Sequence, residues 1–114
     1  AAGMATLDIY ERDGLLTRAS GDIGKHWENA LHSLSDLDNV IDVRNYGLVG
    51  AIELRAPEDL KGKFGNKVSG LAWNEGVLAR GIGDALCMSP PLIIQKDEID
   101  TIVDKLRGVI KSLP

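Results

Sequence analysis

The sequence predicts an α+β domain in which a small antiparallel sheet of about four short strands is covered by helices, in the order ααββαββα. Apolar residues step by three or four over residues 15–34 and 99–113, which is the helical period. Apolar and polar residues alternate over 40–45, which is the strand period. Glycine or proline punctuates the boundaries, at Gly14, Gly47, Gly76, Gly81, Gly83 and Pro90-Pro91.

The first helix, residues 1–12, sets Met4, Leu7 and Ile9 among alanines and meets a breaker at Asp13-Gly14. No Ser, Thr, Asp or Asn precedes it as a cap and no methionine opens the chain, so a larger protein is expected upstream. A second helix is read over 15–34 from Leu16, Ala19, Ile23, Trp27, Ala30, Leu31 and Leu34. Gly21 and Gly24 each cost such a helix about 1 kcal/mol relative to alanine, which predicts a kink or a frayed start there.

A polar turn, 35–39, leads to a strand where Ile41 and Val43 alternate with Asp42 and Arg44. A partner strand follows at 51–54. Bends at Tyr46-Gly47 and Gly50 predict an antiparallel hairpin with irregular pairing at its tip. Residues 55–62, with Pro57 and several charges, read as a loop. Phe64, Val68, Leu71, Ala72 and Glu75 are spaced for a third helix, with Gly76 as its left-handed C-terminal cap. Strands at 77–80 and 85–88 flank a turn at 81–84, and Pro90-Pro91 ends the ladder. The final helix carries Ile99, Ile102, Val103, Leu106, Val109, Ile110 and Leu113 and is expected to be capped near Lys96-Asp97. Trp27 and Trp73 fall at expected core positions of their helices.

Composition narrows the function. A chain of 114 residues, 44% hydrophobic, suits one domain over 1–114. Its net charge of −4, from 17 acidic and 13 basic residues, is scattered, so no basic stripe offers a footprint for nucleic acid or an anionic membrane. The single cysteine, Cys87, has no disulfide partner within the chain and is expected as a small buried hydrophobe. There is neither a long apolar span nor a signal-peptide pattern, and the expected location is cytoplasmic. His26 and His32 stand six apart and point to different faces of a helix, so no metal site is expected. Gly81-Ile82-Gly83 is not a dinucleotide fingerprint, because Leu86 occupies the third small-residue position. No serine has a nucleophile-elbow setting and no lysine sits in an apolar strand, so no catalytic residue is assigned.

Arg80 is the residue to explain, since it ends an apolar run beside a glycine-rich bend. A guanidinium there can bind a carboxylate bidentately. It can equally pair with Asp84 or rest in solvent. The residue pattern leaves both readings open.

The segments Ala2-Gly3-Met4-Ala5-Thr6-Leu7-Asp8-Ile9-Tyr10, Asn45-Tyr46-Gly47-Leu48-Val49-Gly50-Ala51-Ile52-Glu53-Leu54, Ala79-Arg80-Gly81-Ile82-Gly83-Asp84 and Ser89-Pro90-Pro91-Leu92 together resemble the C-terminal small domain of class III aminotransferases. These are pyridoxal-phosphate enzymes of fold type I. The likeness is nearest the ω-amino acid or amine:pyruvate aminotransferase branch, where an arginine just before a Gly-x-Gly-Asp-like bend pairs with the substrate carboxylate and moves aside for substrates lacking one. Arg80 matches it, with Gly81, Gly83 and Asp84 as the supporting turn. Ornithine- and 4-aminobutyrate-type members place an arginine three residues before the Pro-Pro pair, where this chain has Cys87. The resemblance implies an enzyme that moves an amino group between an ω-amino acid or amine and a 2-oxo acid such as pyruvate, working as a homo-oligomer. It also implies that the cofactor lysine, the aspartate on the pyridine nitrogen and the phosphate-binding turn lie in a large domain absent from this chain. The isolated chain is therefore expected to bind no pyridoxal phosphate and to be inactive. The alternatives are a stand-alone amino-acid-binding regulatory module and a dimerisation domain.

Overall fold

The computed structural model describes all 114 residues. Helices α1 (Ala2–Arg12), α2 (Leu15–Ser20) and α3 (Asp22–His32) lead through a 3-10 turn, Ser33–Asp36, to strands β1 (Val40–Tyr46) and β2 (Val49–Leu54). Another 3-10 turn, Glu58–Leu60, precedes α4 (Phe64–Asn74), and β3 (Arg80–Ile82), β4 (Ala85–Met88) and α5 (Lys96–Lys111) complete the chain. All strand pairs are antiparallel, in the order β1-β2-β4-β3. The α+β class holds.

The expected second helix is two helices. Gly21 leaves the helical region at φ −96°, ψ −133°, and a Cβ on Gly24 would stand 2.0 Å from the Ala19 carbonyl oxygen. The chain therefore turns a corner and packs α3 hard against the end of α2. That corner rephases the apolar stripe, so Leu15 is buried while Leu16, an expected core residue, is 63% exposed.

The sheet has one covered face. Ile52 and Leu54 of β2 and Leu86 and Met88 of β4 join a single core with Trp27 and Leu31 of α3, Phe64 and Val68 of α4, and Ile99 and Leu106 of α5. Gly50 is a strand residue paired with Asn45 and Met88, not a bend. A Cβ there would lie 2.5 Å from Leu31 Cδ2 and 3.2 Å from the Trp27 indole, so glycine admits the tryptophan edge. That edge includes Nε1, a buried donor with no acceptor. The hairpin tip is regular, with Gly47 at φ 56°, and the pairing irregularity lies at the opposite end, between Val40 and Asp42.

Trp73, expected in the core, is 65% exposed. Phe64, Gly65, Val68 and Ala72 set the inward face of α4, and the residue after Ala72 points about 100° away from it. Gly76 caps the helix at φ 85° as expected. The cap of α5 is Gln95, whose N–H donates to the Glu98 carboxylate at 3.0 Å. Just upstream, the Arg18 guanidinium donates one bond each to the Leu92 and Ile94 carbonyls and ties the segment after Pro90-Pro91 to α2. Lys96 meets Asp22 at 2.7 Å, and that contact holds the Asp22 carboxyl below its ordinary pKa, chiefly through the hydrogen bond. Helix α1 buries no side chain and leaves Met4 and Leu7 exposed along a body 48 Å long.

Gly24→Ala should destabilise the chain by about 1–3 kcal/mol, since the obstacle is backbone. Gly3→Ala, with nothing within 4 Å of the added carbon, should be neutral or stabilising by up to about 1 kcal/mol. Urea denaturation measures both, and equal midpoints would contradict the close α2–α3 packing.

Candidate functional site

The β3–β4 hairpin is locked to the start of α4. Its turn is the two-residue Gly83-Asp84, with Gly83 at φ 57°, which favours glycine. Gly81, expected in the turn, lies inside β3 opposite Leu86. It is needed for a different reason: a Cβ there would sit 2.4 Å from the Gly65 carbonyl carbon and the Asn66 nitrogen. Reciprocally, a Cβ on Gly65 would sit 2.4 Å from the Ala85 oxygen, and Gly65 N–H donates to the Gly83 carbonyl at 2.9 Å. Two backbones touch where only hydrogen fits.

Asp84 completes the lock. One carboxylate oxygen accepts the N–H groups of Gly62 at 2.7 Å and Phe64 at 3.2 Å. Lys63, the N-cap residue of α4, offers no side-chain acceptor, so an acid from the hairpin serves the orphan donor of Phe64 and meets the positive end of the helix dipole. The pairing of Asp84 with Arg80 that the sequence left open does not occur.

The first strand of the hairpin runs Arg80–Ile82, not 77–80. Residues 77–79 are instead held by α4: Val77 N–H donates to the Ala72 carbonyl at 2.9 Å, and the Ser69 hydroxyl donates to the Ala79 carbonyl. Groups satisfied by a helix are not free to build a ladder.

Arg80 is exposed on the open face of the sheet, and its guanidinium takes part in no hydrogen bond or ion pair. Cross-strand pairing puts it in one row with Cys87, Ala51 and Arg44. The two arginines differ in their partners. Arg44 is held by Asp42 at 2.9 Å and Glu53 at 3.0 Å, and these bonds, Asp42 first, raise its pKa. Between them Cys87 and Ala51 are short, and Cys87 is half-buried on this face rather than in the core. Ile82, on the same side of β3 two residues on, is 52% exposed. An unpaired guanidinium thus stands among small and apolar neighbours, with no acid to compete for it.

The remaining chemistry-bearing residues do not converge. His26 meets Asp100 at 2.7 Å and His32 meets Asn45 at 2.8 Å, both at the surface. No group of three or more His, Cys, Asp or Glu could hold a metal, and no helix is long and apolar enough to cross a membrane. All seven lysines are exposed and no polar or charged side chain is buried. Gly65 and Ser69 escaped the sequence reading. A serine among the apolar residues of the third helix was the only available signal.

The profile of the family described as aminotransferase class-III matches residues 1–110. The chain belongs to the class-III aminotransferase family. It is 44% identical over 110 residues to an omega-aminotransferase of Caulobacter vibrioides, covering 96% of this chain and 25% of that protein. It is 39% identical over 114 residues to a beta-alanine–pyruvate aminotransferase of Pseudomonas aeruginosa, covering 99% of this chain and 25% of the relative. A transaminase structure solved with L-alanine superposes with a TM-score of 0.87 at 31% identity, over 95% of this chain and 27% of that one. The chain thus spans about a quarter of the length of the curated relatives it matches.

Asp84→Ala should lower stability by about 0.5–2 kcal/mol, the range for losing a helix cap, with Asp84→Asn retaining part of it. Guanidinium titration reads the difference. An unchanged midpoint for Asp84→Ala would show that the carboxylate does not hold α4 to the hairpin.

Proposed function

We propose that this chain is the carboxylate-recognising part of a longer aminotransferase that moves an amino group between an ω-amino acid or amine and a 2-oxo acid such as pyruvate. The observation that carries the reading is the unpaired Arg80 guanidinium on a fixed hairpin, in a chain similar along nearly its whole length to omega-aminotransferases. Gly81, Gly83 and Asp84 are its supporting turn. The stand-alone regulatory module and the dimerisation domain find no support among the relatives, which are aminotransferases.

Each charge-assisted bond from the Arg80 fork to a substrate carboxylate contributes about 1.5–3 kcal/mol where water is excluded. Ordering the side chain costs up to about 2 kcal/mol. The balance favours binding when both oxygens are engaged. Because no acid within the chain holds Arg80, turning it away from a substrate that lacks a carboxylate breaks no ion pair, and one site serves both substrate kinds.

Pyridoxal phosphate supplies the electron sink and the amino-group store in this reaction class. These residues do not fit it: with every lysine exposed and no buried polar side chain, the chain offers no enclosed site for an aldehyde and a phosphate. The cofactor is accordingly assigned to the rest of the protein, which we place in the cytoplasm as a homo-oligomer. The exposed apolar side chains of α1, Met4, Leu7 and Ile9, favour contact with further polypeptide. Cys87 fits the same reading. The resemblance gives the other branch an arginine at this position, which is the cross-strand partner of Arg80, and two guanidinium groups directly opposed would repel.

In the full-length protein, Arg80→Ala should lower kcat/KM for β-alanine by roughly 10- to 100-fold and for a carboxylate-free amine by less than about threefold. Equal losses on both donors would remove Arg80 from substrate recognition.

A further inference from the structure

We propose that Ser69 is a positioning residue for Arg80, acting through the Ala79 carbonyl and so setting the affinity for carboxylated substrates; this rests on the carboxylate-binding reading of Arg80. Serine in the middle of a helix ordinarily turns its hydroxyl back to the carbonyl four residues earlier. Ser69 instead reaches across to Ala79, ten residues on. Ala79 lies just outside the ladder, which begins at Arg80, and the residue as a whole is 3% exposed, so without Ser69 its carbonyl would be a buried acceptor with no partner.

The consequence for Arg80 follows from peptide planarity. The Ala79 carbonyl, the Arg80 nitrogen and the Arg80 Cα lie in one plane, so the hydroxyl that holds the oxygen fixes where the Arg80 Cα starts. Beyond the strand, Gly65 N–H holds the Gly83 carbonyl, and Gly65 leaves no room for Gly81 to shift towards α4. Ser69 and Gly65 are one helical turn apart on α4. The same helix face therefore clamps β3 at both ends, and Arg80 is carried between the clamps. Its guanidinium moves by side-chain torsions from a fixed origin. Loss of the Ser69 clamp frees the Arg80 end of the strand while Asp84, Gly65 and Gly81 still hold the other.

The test uses the full-length holoenzyme and three variants, Ser69→Ala, Ser69→Thr and Arg80→Ala. Each is measured in the half-reaction with β-alanine and with n-butylamine, and by equilibrium binding of propionate, a carboxylate without an amino group. Ser69→Ala should raise KM for β-alanine and Kd for propionate by about three- to tenfold, the scale of one lost hydrogen bond, with kcat and the n-butylamine reaction unchanged. Ser69→Thr, which keeps the hydroxyl, should restore both. Equal loss on the two donors, no loss on either while Arg80→Ala still discriminates between them, or a threonine variant as weak as the alanine one would each overturn the inference alone. An Arg80→Ala variant that treats both donors alike would overturn the carboxylate reading and this inference with it.

Discussion

Helix α4 lies on the β3–β4 hairpin closely enough that a side chain at Gly81 would enter the Gly65–Asn66 backbone and one at Gly65 the backbone of Gly83 and Ala85, and most features of the site derive from that approach. It brings the amide end of α4 to the hairpin turn, where the Asp84 carboxylate can accept the N–H of Phe64, the first residue of the helix, and that of Gly62 just before it. It also brings Ser69 within reach of the Ala79 carbonyl. Strand β3, three residues at the edge of the sheet, would otherwise be weakly held. Joined to a helix by backbone contact and charge-assisted bonds, the hairpin becomes part of the core's rigid body.

The same lock divides the acid from the cation. Asp84 sits four residues after Arg80, near enough along the chain to pair with it, but its carboxylate accepts the Gly62 and Phe64 N–H groups at the start of α4 instead. Arg44, in the same row of the sheet, shows the other outcome, with two acids closing on its guanidinium. The fold thus spends its nearest carboxylate on structure and leaves Arg80 available. Arg80 lies at the outermost strand, on the uncovered face, beside the short side chain of Cys87 and the exposed Ile82. A carboxylate can approach there without displacing an internal partner.

Much of this organisation was legible in the sequence because it is local. The period of Ile99, Val103, Leu106 and Ile110 depends on α5 alone, and the left-handed demand at Gly76 and Gly83 is a property of each turn. What escaped depends on contacts between distant segments. The split at Gly21 follows from Gly24 pressing on Ala19, and the outward turn of Trp73 from a phase set by Phe64, Val68 and Ala72 against the core. The start of β3 moved from 77 to 80 because α4 had already taken the polar groups of Val77 and Ala79. Gly81 reads in the sequence as a turn glycine, but its role is proximity, which spacing along one chain does not reveal. The importance of Arg80 could be suspected from its neighbours, and its freedom from Asp84 could not.

The central claim is that α4 holds β3 so that Arg80 can meet a substrate carboxylate with nothing inside the chain competing for it. A crystal structure of the full-length protein with propionate bound tests it most directly. The account predicts both propionate oxygens within about 3 Å of the Arg80 guanidinium nitrogens, with the Asp84 carboxylate still on the Gly62 and Phe64 amides. Propionate held by another cation, with Arg80 paired to Asp84, would contradict it.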